Sequence, residues 1–504
     1  MKILVAIASY GSRNDAYLHQ LLAEYSAMPY EVDVVVLSNA PKAGLAADIE
    51  VVVGLPSSNP WSLPFAHKPI FERRAADYDL FIYSEDDTLV TEANVEAFLW
   101  ATSVLEPDEI AGFMRSEQGP DDRLYYSTIH NHYHWAADSV RRRAGETFAH
   151  FTNEHGACYI LTQDQLRRAI ASGGFSVAPH EGKYDMLVSA ATDPYTQCGF
   201  KKLLCISRID QFTCKHLTNK YVGRTGVQEA IVQTQFRAMI EMDTSAAATA
   251  ASLPVQSKLP GTRWIKSYYE PVRDDLVALF PPSVRRVLSI GCGWGSTEEA
   301  LVQRGLEVTA VPLDAIIGRV AEQRGVRVIS CDLADVPSRL ASESFDVVLV
   351  PGLIHLLDDP AALLGALGSL LSQDGVLVAS FPNLAHATVV WRRLAGHPAY
   401  RGLGDFGKSG IHPTSPALVR RWLKQAGLRL GSASSVVTGR WARFDRATLG
   451  MLTGLWAAEY LIVAHLGQGA KRPAPAGGQG RPSLQPGTAG TVVAGSRAHP
   501  QTTP

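Results

Sequence analysis

Residues 287–295 read Val-Leu-Ser-Ile-Gly-Cys-Gly-Trp-Gly, an apolar run that passes directly into a glycine-rich turn. Gly291, Gly293 and Gly295 carry no side chain, so backbone can approach a ligand closely where a strand gives way to a helix. Alone, such a run is weak evidence, because some plain tight turns contain it. The segments that follow make it specific. Val308–Leu313, Val328–Cys331 and Phe345–Val350 are further apolar runs. The first ends near Asp314, the second at Asp332, and the third follows the turn-like Ser342-Glu343-Ser344. Helix-length segments separate them. Strands and helices alternating at this rhythm predict a parallel, doubly wound α/β sheet that binds ligands at the carboxyl ends of its strands.

Further pieces fit the same order: Cys331-Asp332-Leu333, Ser344–Val348, Leu353-Ile354-His355-Leu356 with Asp359-Pro360 behind it, Gly375–Asn383, and a helix at Leu418–Gly427. Together they resemble class I S-adenosylmethionine (SAM)-dependent methyltransferases. Residues 264–465 are most similar to the small bacterial branch called type 11/12 or methionine-biosynthesis-W-like. The resemblance implies a Rossmann-like fold and a SAM site built on Ser289, Gly291, Cys292, Gly293 and Gly295. It implies that Asp332, with Leu333 beside it, lies near the adenine amino group. Two positions depart from the family pattern. Ser289 stands where the first motif usually has an acid. Pro312 stands where the second strand usually ends in an acid that meets the ribose hydroxyls, a role open to Asp314. Each lost acceptor costs about 1–3 kcal/mol if the donor it served stays buried and unpaired. His355 falls where the acceptor enters, and its ordinary pKa near 6.5 suits proton abstraction from a hydroxyl. Packing or helix capping is the equal alternative for His355. Tyr268 and Tyr269 precede the first strand, to cover the cofactor or to pack.

Residues 1–240 carry a different α/β pattern. Lys2–Ala8 reads as a strand, followed by the polar turn Ser9–Arg13; Leu18–Tyr25 reads as a helix; Val32–Leu37 and Val51–Val53 read as strands. Tyr78–Asp87 is an apolar strand that delivers Glu85, Asp86 and Asp87 into a loop. Adjacent carboxylates repel, so such a cluster commonly has a cation, and Mg²⁺ or Mn²⁺ prefers oxygen ligands. A solvated acidic turn is the plainer reading. The run resembles the Asp-x-Asp motif of GT-A glycosyltransferases, in the variant Glu-Asp-Asp. Ile7-Ala8-Ser9-Tyr10 matches that family's nucleotide-binding first strand, and Asn153–Thr162 its acceptor-side segment. The resemblance implies a divalent cation held by Glu85 and Asp87 on a nucleotide-sugar donor. It further implies His216 as a late metal ligand, Ser9 and Tyr10 at the nucleotide, and Asp185 or its rival Glu181 as the base. His130, His132 and His134 alternate and would share one face if they lay on a strand, as zinc ligands do. No cysteine or carboxylate completes the set, so a sugar-contacting or plain loop role is favoured.

The 504 residues carry a formal net charge of −2, with no basic footprint for nucleic acid. The six cysteines are scattered with no C-x-x-C pair, which suits free thiols in a reducing cytosol. No signal peptide and no membrane-spanning run is present; Leu449–Leu466 comes nearest but is interrupted by Glu459. A cytoplasmic protein is expected, with a peripheral membrane contact left open. Residues 241–260 read as a linker. Residues 467–504, poor in large apolar side chains, are expected to be disordered.

The expectation is thus two doubly wound α/β domains, GT-A-like over 1–240 and methyltransferase-like over 261–466. The bifunctional reading joins sugar transfer from a nucleotide-sugar with methyl transfer to a glycan or its precursor. Two alternatives stand beside it. In one, the first half of a methyltransferase only binds substrate. In the other, a glycosyltransferase carries a degenerate methyltransferase scaffold.

Overall fold

Uninterrupted apolar runs form the centres of two principal sheets. The computed structural model describes residues 1–242, 253, 257–259, 263–439 and 441–467. Most of the expected linker at 241–260, and the expected tail at 467–504 beyond its first residue, lie outside the described residues. The first principal sheet comprises β1 (Lys2–Ala8), β2 (Glu31–Ser38), β3 (Glu50–Val53), β4 (Leu80–Glu85) and β5 (Cys158–Thr162). Their order is β5-β4-β1-β2-β3, with β5 antiparallel to β4 and the rest parallel. Ile3 to Ala8 are all buried, as expected of a central parallel strand covered on both faces.

Two smaller sheets extend the first half, and the sequence reading missed both. One pairs Glu109–Ala111, Lys201–Cys205, Glu146–Phe151 and Trp135–Arg143. The other contains Met114–Gln118 and Thr213–His216, paired in parallel. Its strand Met-Arg-Ser-Glu-Gln is polar yet largely buried, which is why no apolar period betrayed it. The three histidines lie in the loop before Trp135–Arg143, not on a strand.

The second principal sheet has seven strands: β6 (Arg286–Cys292), β7 (Glu307–Pro312), β8 (Arg327–Val328), β9 (Phe345–Val350), β10 (Leu371–Pro382), β11 (Leu428–Val436) and β12 (Glu459–Leu466). They run in the order β8-β7-β6-β9-β10-β12-β11, and only β12 is antiparallel to its neighbours. Strand order reverses at β6, which opens a ligand crevice at the carboxyl ends of β6 and β9. The expected strand at 328–331 shrinks to two residues. β11, an exposed edge of small and polar residues, was not foreseen.

The halves pack together through the helices Glu229–Glu241 and Ala315–Gln323. Thr234 Oγ1 donates to Gln323 Oε1 at 2.6 Å, and Ile316 joins the core of the first half. All six cysteines are free. No described helix is long and apolar enough to cross a membrane.

Candidate functional site

The glycine-rich turn leaves β6 and enters the helix Ser296–Gln303. Gly291 (φ +82°) and Gly295 (φ +79°) are left-handed, where other residues are strained. Gly293 is fixed by contact instead: a Cβ there would lie 1.9 Å from the Tyr268 carbonyl oxygen. Cys292 is buried in the core below, and burial pushes its thiol pKa up.

Both departures from the family pattern have local answers. The Ser289 hydroxyl donates to Glu298 Oε1 at 2.6 Å, and both residues are buried. The acid absent from the strand thus stands in the first turn of the following helix, and burial raises its pKa. Asp314 follows β7 and caps the helix Ala315–Gln323, its Oδ1 accepting from the Ile317 amide at 2.7 Å. Its Oδ2 is buried without a partner among the described residues. Burial pushes the Asp314 carboxyl up to about 7. A bare carboxylate oxygen at this strand end suits the vicinal hydroxyls of a ribose. Asp332 is exposed, and Leu333 packs partly against the core.

His355 follows β9 and is buried. A carbonyl oxygen only accepts, so His355 Nε2–H donates to the Trp264 carbonyl at 2.5 Å, and Nδ1 carries the lone pair. That Nδ1 has no partner among the described residues. Burial holds the ring neutral, with its pKa lowered to about 4.

A strap, residues 264–270, crosses the turn. The Tyr268 carbonyl accepts from the Trp294 amide at 2.9 Å, and the Glu270 carbonyl accepts from Trp294 Nε1 and Ser296 Oγ at 2.6 Å each. Its other side is held by the first half of the chain. The Tyr268 amide donates to the Asn131 carbonyl at 2.9 Å, and the Tyr268 ring stacks on His134 with centroids 4.9 Å apart. Sequence alone suggested Tyr268 as a cover but gave no sign of its anchorage.

Residues 263–433 match the family model described as a methyltransferase domain. A ubiquinone biosynthesis O-methyltransferase from Xanthomonas axonopodis pv. citri (strain 306) is 31% identical over 203 residues, spanning 38% of this chain and 82% of that protein. The chain belongs to the methyltransferase family. A tRNA 5-carboxymethoxyuridine methyltransferase from Escherichia coli (strain K12) is 32% identical over 176 residues, 32% of this chain and 67% of that protein. A solved SAM-dependent methyltransferase from Archaeoglobus fulgidus aligns at 18% identity and TM-score 0.30, covering 38% of this chain and 90% of its own. SAM is the methyl donor of this domain. The residues present fit it: three glycines that leave the backbone bare, and Asp314 Oδ2 waiting for a donor.

The methyltransferase's first half presents a second site at the carboxyl ends of β1 and β4. A cavity of about 330 Å³ is lined by Tyr10, Asn14, Trp61, Glu85, Asp87 and Lys220, among others. Ser9 is buried beneath it, its amide bonded to the Leu37 carbonyl at 2.9 Å. Asp86 Oδ1 accepts from Asn14 Nδ2 at 2.8 Å. His216 bonds Asp87 Oδ2 through Nε2 at 3.1 Å and Glu117 Oε1 through Nδ1. His216 thus lies between two carboxylates, which favour its charged form. Burial opposes that charge, but the two carboxylates outweigh it and raise the His216 pKa. Burial, and then the Asp87 charge, push Glu85 up to about 7.

Of the expected metal ligands, the structure brings Asp87 and His216 together and sets Glu85 beside Asp87 in the cavity lining. Among the described residues, no group of three or more His, Cys, Asp or Glu side chains is arranged to hold a metal ion. Glu117, which sequence reading missed, stands on the second ring nitrogen of His216. Asp185 caps the helix Met186–Thr196, accepting from the Val188 amide at 3.0 Å, and Glu181 is exposed. Leu187, two residues beyond Asp185, lines the cavity. Next to this site, a smaller cavity of about 220 Å³ is lined by Arg115, His130, Tyr133, His155 and Tyr221.

Proposed function

We propose that the chain methylates a hydroxyl of a sugar-bearing acceptor, with the first half recognising that acceptor. His355 Nδ1 carries this reading: a buried, neutral imidazole nitrogen with a free lone pair beside the crevice. When bound, SAM supplies an electrophilic methyl group on a sulfonium. His355 takes the hydroxyl proton as the oxygen is methylated, while its Nε2–H bond to Trp264 fixes the ring. The relatives named as O-methyltransferases support oxygen as the receiving atom. Sugar recognition is supported by the cavity of the first half, where carboxylates accept hydroxyl protons and the half-exposed rings of Tyr10 and Trp61 offer flat apolar faces.

The test is mass spectrometry of products formed from isotope-labelled SAM with a panel of glycans, glycolipids and nucleotide-sugars. A methyl group on a sugar oxygen is expected, with the rate greatly reduced in His355→Ala. A label found only on sugar-free acceptors ends the sugar assignment. Undiminished turnover in His355→Ala ends its role as base.

A second reading adds sugar transfer from a nucleotide-sugar in the first half. It is favoured by two buried carboxylate oxygens without partners, Glu85 Oε1 and Asp87 Oδ1, beside Lys220. Asp185 or Glu181 would then serve as base. Release of nucleoside diphosphate from a nucleotide-sugar, abolished in Asp87→Ala, is its measurement; no release with or without Mn²⁺ removes it.

A further inference from the structure

Exposed large apolar side chains gather at one place in the fold. The helix Ala387–Leu394 leaves the carboxyl end of β10 and presents Trp391 (68% exposed) and Leu394 (81%). The segment between β11 and β12 presents Phe444, Leu449 (86%), Met451 (80%) and Leu455. These two segments touch. The ring of His386 packs edge-on against Trp441 at 5.4 Å, and Asn383 Nδ2 donates to the carbonyls of Gly454 and Ala457 at 3.0 and 2.9 Å. Scattered exposed apolar residues need no explanation, but their concentration on two adjoining segments marks an interaction surface.

The charges around the group identify the partner. Arg392, Arg393, Arg443 and Arg446 lie on the same two segments. No acid occurs in 384–401, and Asp445 is the only one in 441–458. Asp445 is engaged by Thr453 Oγ1 at 2.6 Å. A chain of net charge −2 thus concentrates positive charge where its apolar side chains are bare. Aromatic and aliphatic side chains interleaved with arginines on short helices match the boundary between anionic headgroups and acyl chains.

We infer that this face docks on an anionic lipid bilayer, beside the carboxyl ends of the methyltransferase strands. The inference does not depend on which acceptor is methylated. The test sediments the full chain with vesicles of phosphatidylcholine alone and of phosphatidylcholine mixed with phosphatidylglycerol. Binding to the mixed vesicles only, weakening with added salt, is expected. The double variant Trp391→Ser/Leu394→Ser should abolish binding, and Arg392→Glu/Arg393→Glu should lower partitioning by roughly tenfold or more. Circular dichroism and methylation of a water-soluble acceptor should remain unchanged in both. Equal binding to neutral vesicles, no binding, or variants that bind as the parent does would overturn the inference. So would light scattering that shows a dimer dissolved by the Trp391→Ser/Leu394→Ser change without any vesicle binding, since the face would then join two copies of the chain.

Discussion

The two ligand ends of this molecule are built on opposite plans. At the carboxyl end of β6 the protein withholds side chains: three glycines, one lone imidazole nitrogen and one bare carboxylate oxygen wait for groups that a ligand brings. At the carboxyl end of β4 it crowds charges together, and most answer one another through Glu117, His216 and Asp87. A dense cluster of chemically capable residues is therefore not, by itself, a better site than a sparse one. What a site can bind depends on the valences it leaves open.

The sharpest way to break this contrast is to fill the sparse end. Gly293→Ala puts a Cβ 1.9 Å from the Tyr268 oxygen, so the strap must shift. Affinity for S-adenosylhomocysteine by calorimetry should fall about 100-fold or more, because close-packed backbone does not yield. Binding of UDP by the first half, if it occurs in the parent, should be unchanged.

Emptying the dense end should act on stability instead. His216→Ala leaves Asp87 and Glu117 buried without their cation, a loss of about 3–5 kcal/mol in thermal or denaturant unfolding. The sign with pH follows from the raised His216 pKa. Its contribution is full below the unfolded value near 6.5 and is lost as pH rises through the folded value. The parent should therefore lose part of its advantage over the variant in that alkaline direction. Added Mn²⁺ should leave the parent's melting temperature unmoved; a clear upward shift would support a cation at Glu85 and Asp87.

A smaller effect separates binding from folding. Asn caps helices about as well as Asp, so Asp314→Asn should fold normally yet bind S-adenosylhomocysteine roughly tenfold more weakly. Parent affinity should rise as pH passes upward through about 7, where Asp314 ionises and becomes a better acceptor for ribose hydroxyls. The variant's affinity should be flat over the same range. Smallest is Thr234→Ala, which removes one hydrogen bond between the halves and should cost about 1 kcal/mol in unfolding.

Legibility in the sequence followed the same contrast. The sparse end was readable because strand-to-glycine transitions are local: Lys2–Ala8 and Phe345–Val350 appear with the expected bounds, and Val287–Gly295 folds as read. Asp314 was legible as a candidate for the missing acid, since it lies two residues from Pro312. The compensating Glu298 was not, because it comes from the next helix and reads as an ordinary first-turn acid. Glu117 and Arg115 escaped for a different reason. Their strand is polar throughout, and only the fold, 99 residues later in the chain, brings His216 against Glu117. That one long-range contact gives His216 a second carboxylate neighbour that no local pattern announces.

The strap at 264–270 is shared between the two halves. One side of it forms a wall over the glycine turn, and the other is fastened to Asn131 and His134. Separating the halves would take the Asn131 and His134 contacts away from the outer side of that wall. The floor of the ligand crevice belongs to one half of the chain, and its wall is braced by both.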